Sequence, residues 1–145
     1  MADFSSNSQN IEAPASEVAA VLVDLESYPS WSSAIKSVEV KERDGANRPT
    51  KAIVKIEAGV LKDRATLNYD YSKLPNAISF SLEEADLMTE MSGTYLIEDN
   101  GDDTTKVTYQ LNVQVSMPVP DMMRRKAEMA TIDAALSQLK KKIEG

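Results

Sequence analysis

Cysteine and histidine are both absent from the 145 residues. Without them the chain has no disulfide, no thiol nucleophile, no Ser-His-Asp arrangement and no soft or imidazole metal site, which removes most hydrolase chemistries. The lack of cysteine leaves the redox compartment open, and a cytoplasmic location is the expectation. Glycine occurs only five times, and neither G-x-x-x-x-G-K-[ST] nor G-x-G-x-x-G is present, so nucleotide binding by those loops is excluded. No run approaches the ~18 apolar residues of a membrane span, and the opening MADFSSNSQN lacks the basic-then-apolar order of a secretion signal. Positive charge is in deficit, 16 basic against 23 acidic residues for a net charge of −7. Such a chain repels a phosphate backbone, so nucleic acid is not an expected partner. No metal or cofactor is expected either. The acidic run from Glu98 to Asp103 lacks the spacing and the closing glutamate of a calcium loop and reads as a hairpin turn.

What is present is an ordinary globular composition, 42% hydrophobic and 27% charged. It suits one domain over residues 1–145, a monomer, burying roughly two-thirds of its unfolded surface. Phe4 to Ile11 reads as a first strand. Ala13-Pro14-Ala15-Ser16-Glu17 then opens a helix, with proline at a first helical position and an acid where the helix dipole favours it. Val18, Val21, Leu22 and Leu25 give that helix its apolar face, and Tyr28-Pro29 is expected to stop it before a short second turn through Trp31.

After Ile35 the hydrophobic period changes from about 3.6 to 2. Val38 and Val40, then Ala52, Val54 and Ile56, then Ala65, Leu67, Tyr69 and Tyr71 alternate with polar neighbours, Ile53 being the exception. Ile78, Phe80 and Leu82 follow, then Met91, Gly93, Tyr95 and Ile97, and last Val107, Tyr109, Leu111, Val113, Val115 and Met117. Asp44-Gly45, Gly59, Leu74-Pro75-Asn76 and Asn100-Gly101 mark turns too short for crossover helices, so the strands form an antiparallel meander with one wet and one dry face. Gly93, alone within a strand, is expected to serve a bend. The dry face needs a cover. From Pro120 to Glu144, Met122, Met129, Ile132, Leu136, Leu139 and Ile143 recur at helical spacing beside a second stripe of Ala127, Ala130 and Ala134. The expected fold is therefore α+β, a curved antiparallel sheet of about seven strands wrapped around a long C-terminal helix, with two short helices after the first strand.

This order, with Ile11-Glu12-Ala13-Pro14, Leu25, Tyr28-Pro29-Ser30-Trp31 and the terminal helix, resembles the START-like helix-grip superfamily and, within it, the bacterial polyketide cyclase/dehydrase and lipid-transport branch. The resemblance covers essentially the whole chain. It implies a hydrophobic cavity between sheet and helix for a lipid, polyketide or similar ligand. Aromatase/cyclases of the family use a strand arginine with a tyrosine and a tryptophan near the helix pair. Trp31 matches the tryptophan, whereas the tyrosine position falls near Val38 and the arginine position near Tyr71 or Ser72, which weighs against cyclase chemistry.

Tyr69, Tyr71, Tyr95 and Tyr109 share the dry phase, where they either pack as plain core at strand ends or, as four phenols in one cavity, orient a carbonyl or hydroxyl of a ligand. No obvious cation lowers their pKa from about 10, so binding is favoured over acid catalysis. Apart from Met1, every methionine lies between Met88 and Met129, and thioethers serve equally as gap-filling core or as an adaptable apolar binding surface. Arg64, Arg124, Arg125 and Lys126 are candidates for a polar mouth, with solvated surface as the alternative reading. The candidate ligand-binding set is Trp31, Leu67, Tyr69, Tyr71, Phe80, Met91, Tyr95, Tyr109 and Leu111, with Met122, Lys126 and Met129 from the helix. No residue is assigned to catalysis. In the helix, residues 122–130 suit a cavity wall and mouth, and 132–143 suit permanent packing. The expected function is binding or carriage of a hydrophobic small molecule. A cyclase/dehydrase-like enzyme is the alternative, and a protein-interaction module the third reading.

Overall fold

The period-2 alternation after Ile35 folds into six consecutive antiparallel strands in a computed structural model that describes residues 4–58 and 61–145. They are β2 (Ile35–Arg43), β3 (Pro49–Ala58), β4 (Leu61–Asp70), β5 (Ala77–Ala85), β6 (Met88–Asp99) and β7 (Thr105–Val115). The first strand, β1 (Ser5–Ile11), pairs with β7, Ser5 opposite Leu111 and Ile11 opposite Thr105, and the sheet order is β1-β7-β6-β5-β4-β3-β2. Side chains alternate across the pleat, so Val54, Ile56, Leu67, Ile78, Tyr95, Ile97, Val107 and Leu111 all turn to the buried face.

Local chemistry explains the turns. The Asp44 carboxylate accepts from the backbone N–H groups of Ala46 and Arg48 and from Arg48 Nε, while Asn47 takes the left-handed conformation, φ 64°. The β6–β7 loop places Gly101 at φ 86° and is closed by Asn100 N–H donating to the Thr104 carbonyl. The turn expected at Gly59 lies outside the described residues. Between β5 and β6 the sequence Glu83-Glu84-Ala85-Asp86-Leu87 has no glycine, proline or asparagine. There the buried Asp63 carboxylate of β4 shapes the turn, accepting from the N–H groups of Asp86, Leu87 and Met88.

The helix pair departs from expectation in one respect. α1 (Ala15–Val23) ends earlier, a 3-10 turn follows over Leu25–Ser27, and Tyr28-Pro29 opens α2 (Tyr28–Trp31) instead of stopping a helix. Proline is tolerated in a first helical turn because its missing N–H has no acceptor there anyway.

The terminal helix α3 (Asp121–Glu144) lies on β1 and β7 with Ile132, Leu136 and Leu139 buried against them. Each such side chain contributes about 1.5–3 kcal/mol. Polar ties along its length fix the helix to the edge strand. Ser5 Oγ donates to Glu128, Asn7 Nδ2 to Asp133, Lys140 Nζ to the Asn10 carbonyl, and Glu12 N–H to Glu144. Met122 is not part of this face; it is 82% exposed, and Met123 and Met117 are exposed with it. At about 100° per residue Met122 falls about 80° away from Ile132, and Glu128 takes the place toward the sheet. Among the described residues no helix is long and apolar enough to cross a membrane.

Candidate ligand-binding site

Because α3 covers the β1–β7 side, the inner face of the remaining strands is closed over only in part, and a cavity of about 70 Å³ is left there. Its roof is the small-residue face of α3, Thr131, Ala134, Ala135 and Gln138. Its near side is Leu25 and Tyr28 of the helix pair, with Ser32, Ala34, Ile35 and Val38 leading into β2. The floor is Val54, Ile56, Leu67, Ile78 and an aromatic wall. In that wall Tyr95 and Tyr109 stack at 4.2 Å between centroids and 12° between planes. Phe80 lies 6.5 Å from Tyr109 and 5.5 Å from Tyr69.

The sequence-derived set divides. Leu67, Tyr69, Phe80, Met91, Tyr95 and Tyr109 come together around the cavity. Tyr71 is buried but lies outside it, its hydroxyl donating to the Pro49 carbonyl and its ring capped by the Arg48 guanidinium at 5.1 Å. Leu111 is buried in the core on β7 and Met129 packs against that core, neither lining the cavity. Trp31 backs Tyr28 at 4.8 Å between ring centroids, and its buried indole N–H has no acceptor among the described residues. Met122 and Lys126 are exposed on α3. The division has a geometric reason: Ile132, Leu136 and Leu139 face the sheet, which turns the 131–134–138 side toward the cavity. The wall therefore belongs to the half of α3 expected to be pure anchor. Of the expected alanine stripe only Ala134 reaches the cavity, while Ala127 and Ala130 are exposed.

None of the four basic candidates for a mouth lines the cavity. Arg64 is on the outer face of the sheet, in an open polar depression with Glu84 and Asp86. Arg124 pairs with Glu128 at 2.9 Å, and that carboxylate, 3% exposed as a residue, also accepts from Ser5 Oγ and from Val113 N–H. Sequence reasoning missed Tyr28, Ser32, Thr131, Ala135 and Gln138. Tyr28 carried a signal, its place in Tyr-Pro-Ser-Trp; Gln138 had none, since polar residues on a helix ordinarily face water.

The polar groups of the wall are all neutral, and most are already engaged. Tyr28 donates to the Leu22 carbonyl at 2.6 Å, and Thr131 to the Ala127 carbonyl at 2.9 Å. Gln138 is held at both ends by Ser33, accepting its N–H at 2.9 Å and donating to its hydroxyl at 2.8 Å. Burial raises the pKa of Tyr69 far above the ordinary phenol value, and the nearby phenols of Tyr109 and Tyr71 add to it. Burial likewise raises Tyr95 and Tyr109, with the Tyr95 hydroxyl offsetting part of the shift at Tyr109. These phenols are therefore hydrogen-bond donors at neutral pH and poor proton-transfer groups, since efficient general acids titrate near the working pH. The wall can hold and orient an oxygen-bearing molecule.

Comparison with known proteins agrees with this architecture. A START superfamily protein from Mycobacterium smegmatis superposes with a TM-score of 0.91 at 25% identity, covering 97% of each chain. The Zhui aromatase/cyclase from a Streptomyces species gives 0.81 at 16% identity over 99% of this chain and 94% of its own. A protein from Thermus thermophilus gives 0.79 at 22% identity over 98% and 97%. No match emerges among curated proteins. Residues 4–144 match the family described as polyketide cyclase/dehydrase and lipid transport, and the chain belongs to that family.

Proposed function

We propose that this protein binds and carries a hydrophobic small molecule between its sheet and α3. The observation that carries this reading is the apolar cavity itself, walled by aromatic rings and neutral hydroxyls and roofed by alanines. Large side chains at 134 and 135 would have filled the space, and interiors normally leave no such gap. Native mass spectrometry of the protein purified from its own host, followed by solvent extraction, is expected to reveal a bound apolar compound. Ala135→Leu should lower its occupancy several-fold with an unchanged circular dichroism spectrum, and Met122→Ser should leave occupancy as it is. Repeated recovery of empty protein under native conditions would sink this reading.

A cyclase/dehydrase-type enzyme is the second reading, favoured by the three phenols of Tyr69, Tyr95 and Tyr109 in one wall, able to donate hydrogen bonds to a substrate carbonyl. The raised phenol pKa values count against proton transfer by these groups. Recovery of the bound compound chemically unchanged after prolonged incubation separates carriage from turnover.

A further inference from the structure

Resting on the carriage reading above, we infer that the cavity selects a neutral, ring-sized molecule bearing a hydroxyl or carbonyl oxygen, and rejects carboxylates, phosphates and long acyl chains. Three observations converge on this class.

The first is charge. Among the described residues no lysine, arginine, aspartate or glutamate lines the cavity. Arg48 is committed to the Tyr71 ring and Arg124 to Glu128. An anion placed here would lose its hydration with no countercharge to replace it.

The second is the inventory of free donors. Tyr28, Thr131 and Gln138 are engaged by the protein as described above. The hydroxyls left are those of Ser32 and Tyr69, for which no protein partner exists among the described residues; in the stacked pair the Tyr95 and Tyr109 hydroxyls bond to each other, which leaves one proton of the two for a ligand. Hydroxyls of this kind both donate and accept, so they match a phenol, alcohol or ketone oxygen.

Size and shape come third. At about 70 Å³ the space is roughly half of the ~150 Å³ apolar cavity that lodges benzene in another protein. One ring therefore fits only when the alanine-lined roof moves outward to about double the space, and an acyl chain of lipid length would need far more. The rings of Tyr69, Phe80 and Tyr109 offer a ligand ring edge and face contacts at the usual aromatic spacing.

The test uses the full chain at neutral pH and an NMR titration with three probes of one shape: phenol, benzoate and toluene. Phenol is expected to shift the ring signals of Tyr69 and Tyr109 and to bind at least about tenfold more tightly than benzoate. Tyr69→Phe, which keeps the packing, should remove most of phenol's advantage over toluene. Benzoate binding as tightly as phenol overturns the inference and leaves carriage standing. Binding of dodecanol with none of phenol likewise overturns the ring-sized class alone. If neither the ring probes nor dodecanol bind, the inference and the carriage reading fall together.

Discussion

At the scale of single residues, Gly93 and Glu128 show how a position can be read correctly as unusual, or not read at all, from the chain alone. Gly93 stands out within β6 and was expected to permit a bend. Its pairing with Phe80 on β5 and Leu111 on β7 is regular. What it supplies is space: a Cβ there would lie 2.4 Å from Phe80 Cζ, so the Phe80 ring rests over the glycine. Gly93→Ala must push that ring toward the cavity, at a cost of about 1–3 kcal/mol typical of overpacking. Urea unfolding should show that loss, and ligand occupancy should fall with it. Glu128 forms a legible i,i+4 pair with Arg124, yet such pairs on helices usually sit in water. Only the tertiary structure brings Ser5 Oγ and Val113 N–H to the same carboxylate. Glu128→Leu strands a largely buried guanidinium and a strand N–H, and should destabilise by about 3–5 kcal/mol. Replacing Arg124 and Glu128 together by leucine should cost less than Glu128→Leu alone, which a double-mutant cycle in urea would read.

At the scale of elements, the strands were legible because a period of 2 survives any tertiary arrangement that buries one face. Val107 through Leu111 illustrates it, alternate side chains buried as their phase requires. The β5–β6 turn was not legible, since its shape comes from Asp63, more than twenty residues earlier on β4. The helix α3 was legible as an amphipathic element, but its rotation was not. The large aliphatics of residues 132–143 read as permanent packing, but nothing local decides which of the remaining faces is left over a cavity. Burial of Ile132, Leu136 and Leu139 releases more free energy than burial of alanines, because more apolar area leaves water. The larger stripe therefore takes the sheet, and the smaller face, Ala134 and Ala135 with Gln138, is left over the cavity. Met122 and Lys126 lose their expected role by the same rotation.

At the scale of the whole molecule, the five tyrosines act together. Tyr28, Tyr69, Tyr71, Tyr95 and Tyr109 all have raised pKa values, burial being the first cause in each. The folded protein keeps these protons at a pH where the unfolded chain, with phenols near 10.0, gives them up. Above that value the unfolded state binds fewer protons than the folded state, so stability falls as pH rises. Their contribution is complete below pH about 10 and is lost progressively above it, by up to about 1.4 kcal/mol per pH unit for each fully buried phenol. Tyrosinate absorbance should therefore stay low in the folded protein just above pH 10 and rise only together with loss of the circular dichroism signal. Independent titration of three or more tyrosines in folded protein near the ordinary value would contradict the buried cluster.

The sequence by itself determined the strand phase, the meander and the presence of a covering helix, because these follow from the spacing and type of residues wherever the chain goes. It also indicated, through the dry phase of Tyr69, Tyr95 and Tyr109, that phenols would meet on one face. The tertiary structure alone decided which side of α3 roofs the cavity, that Tyr71 and Tyr28 spend their hydroxyls on the Pro49 and Leu22 carbonyls, and that Ser33 holds Gln138 at the rim. Those outcomes depend on distances between elements far apart in the chain, fixed only when large side chains compete for the same buried surface.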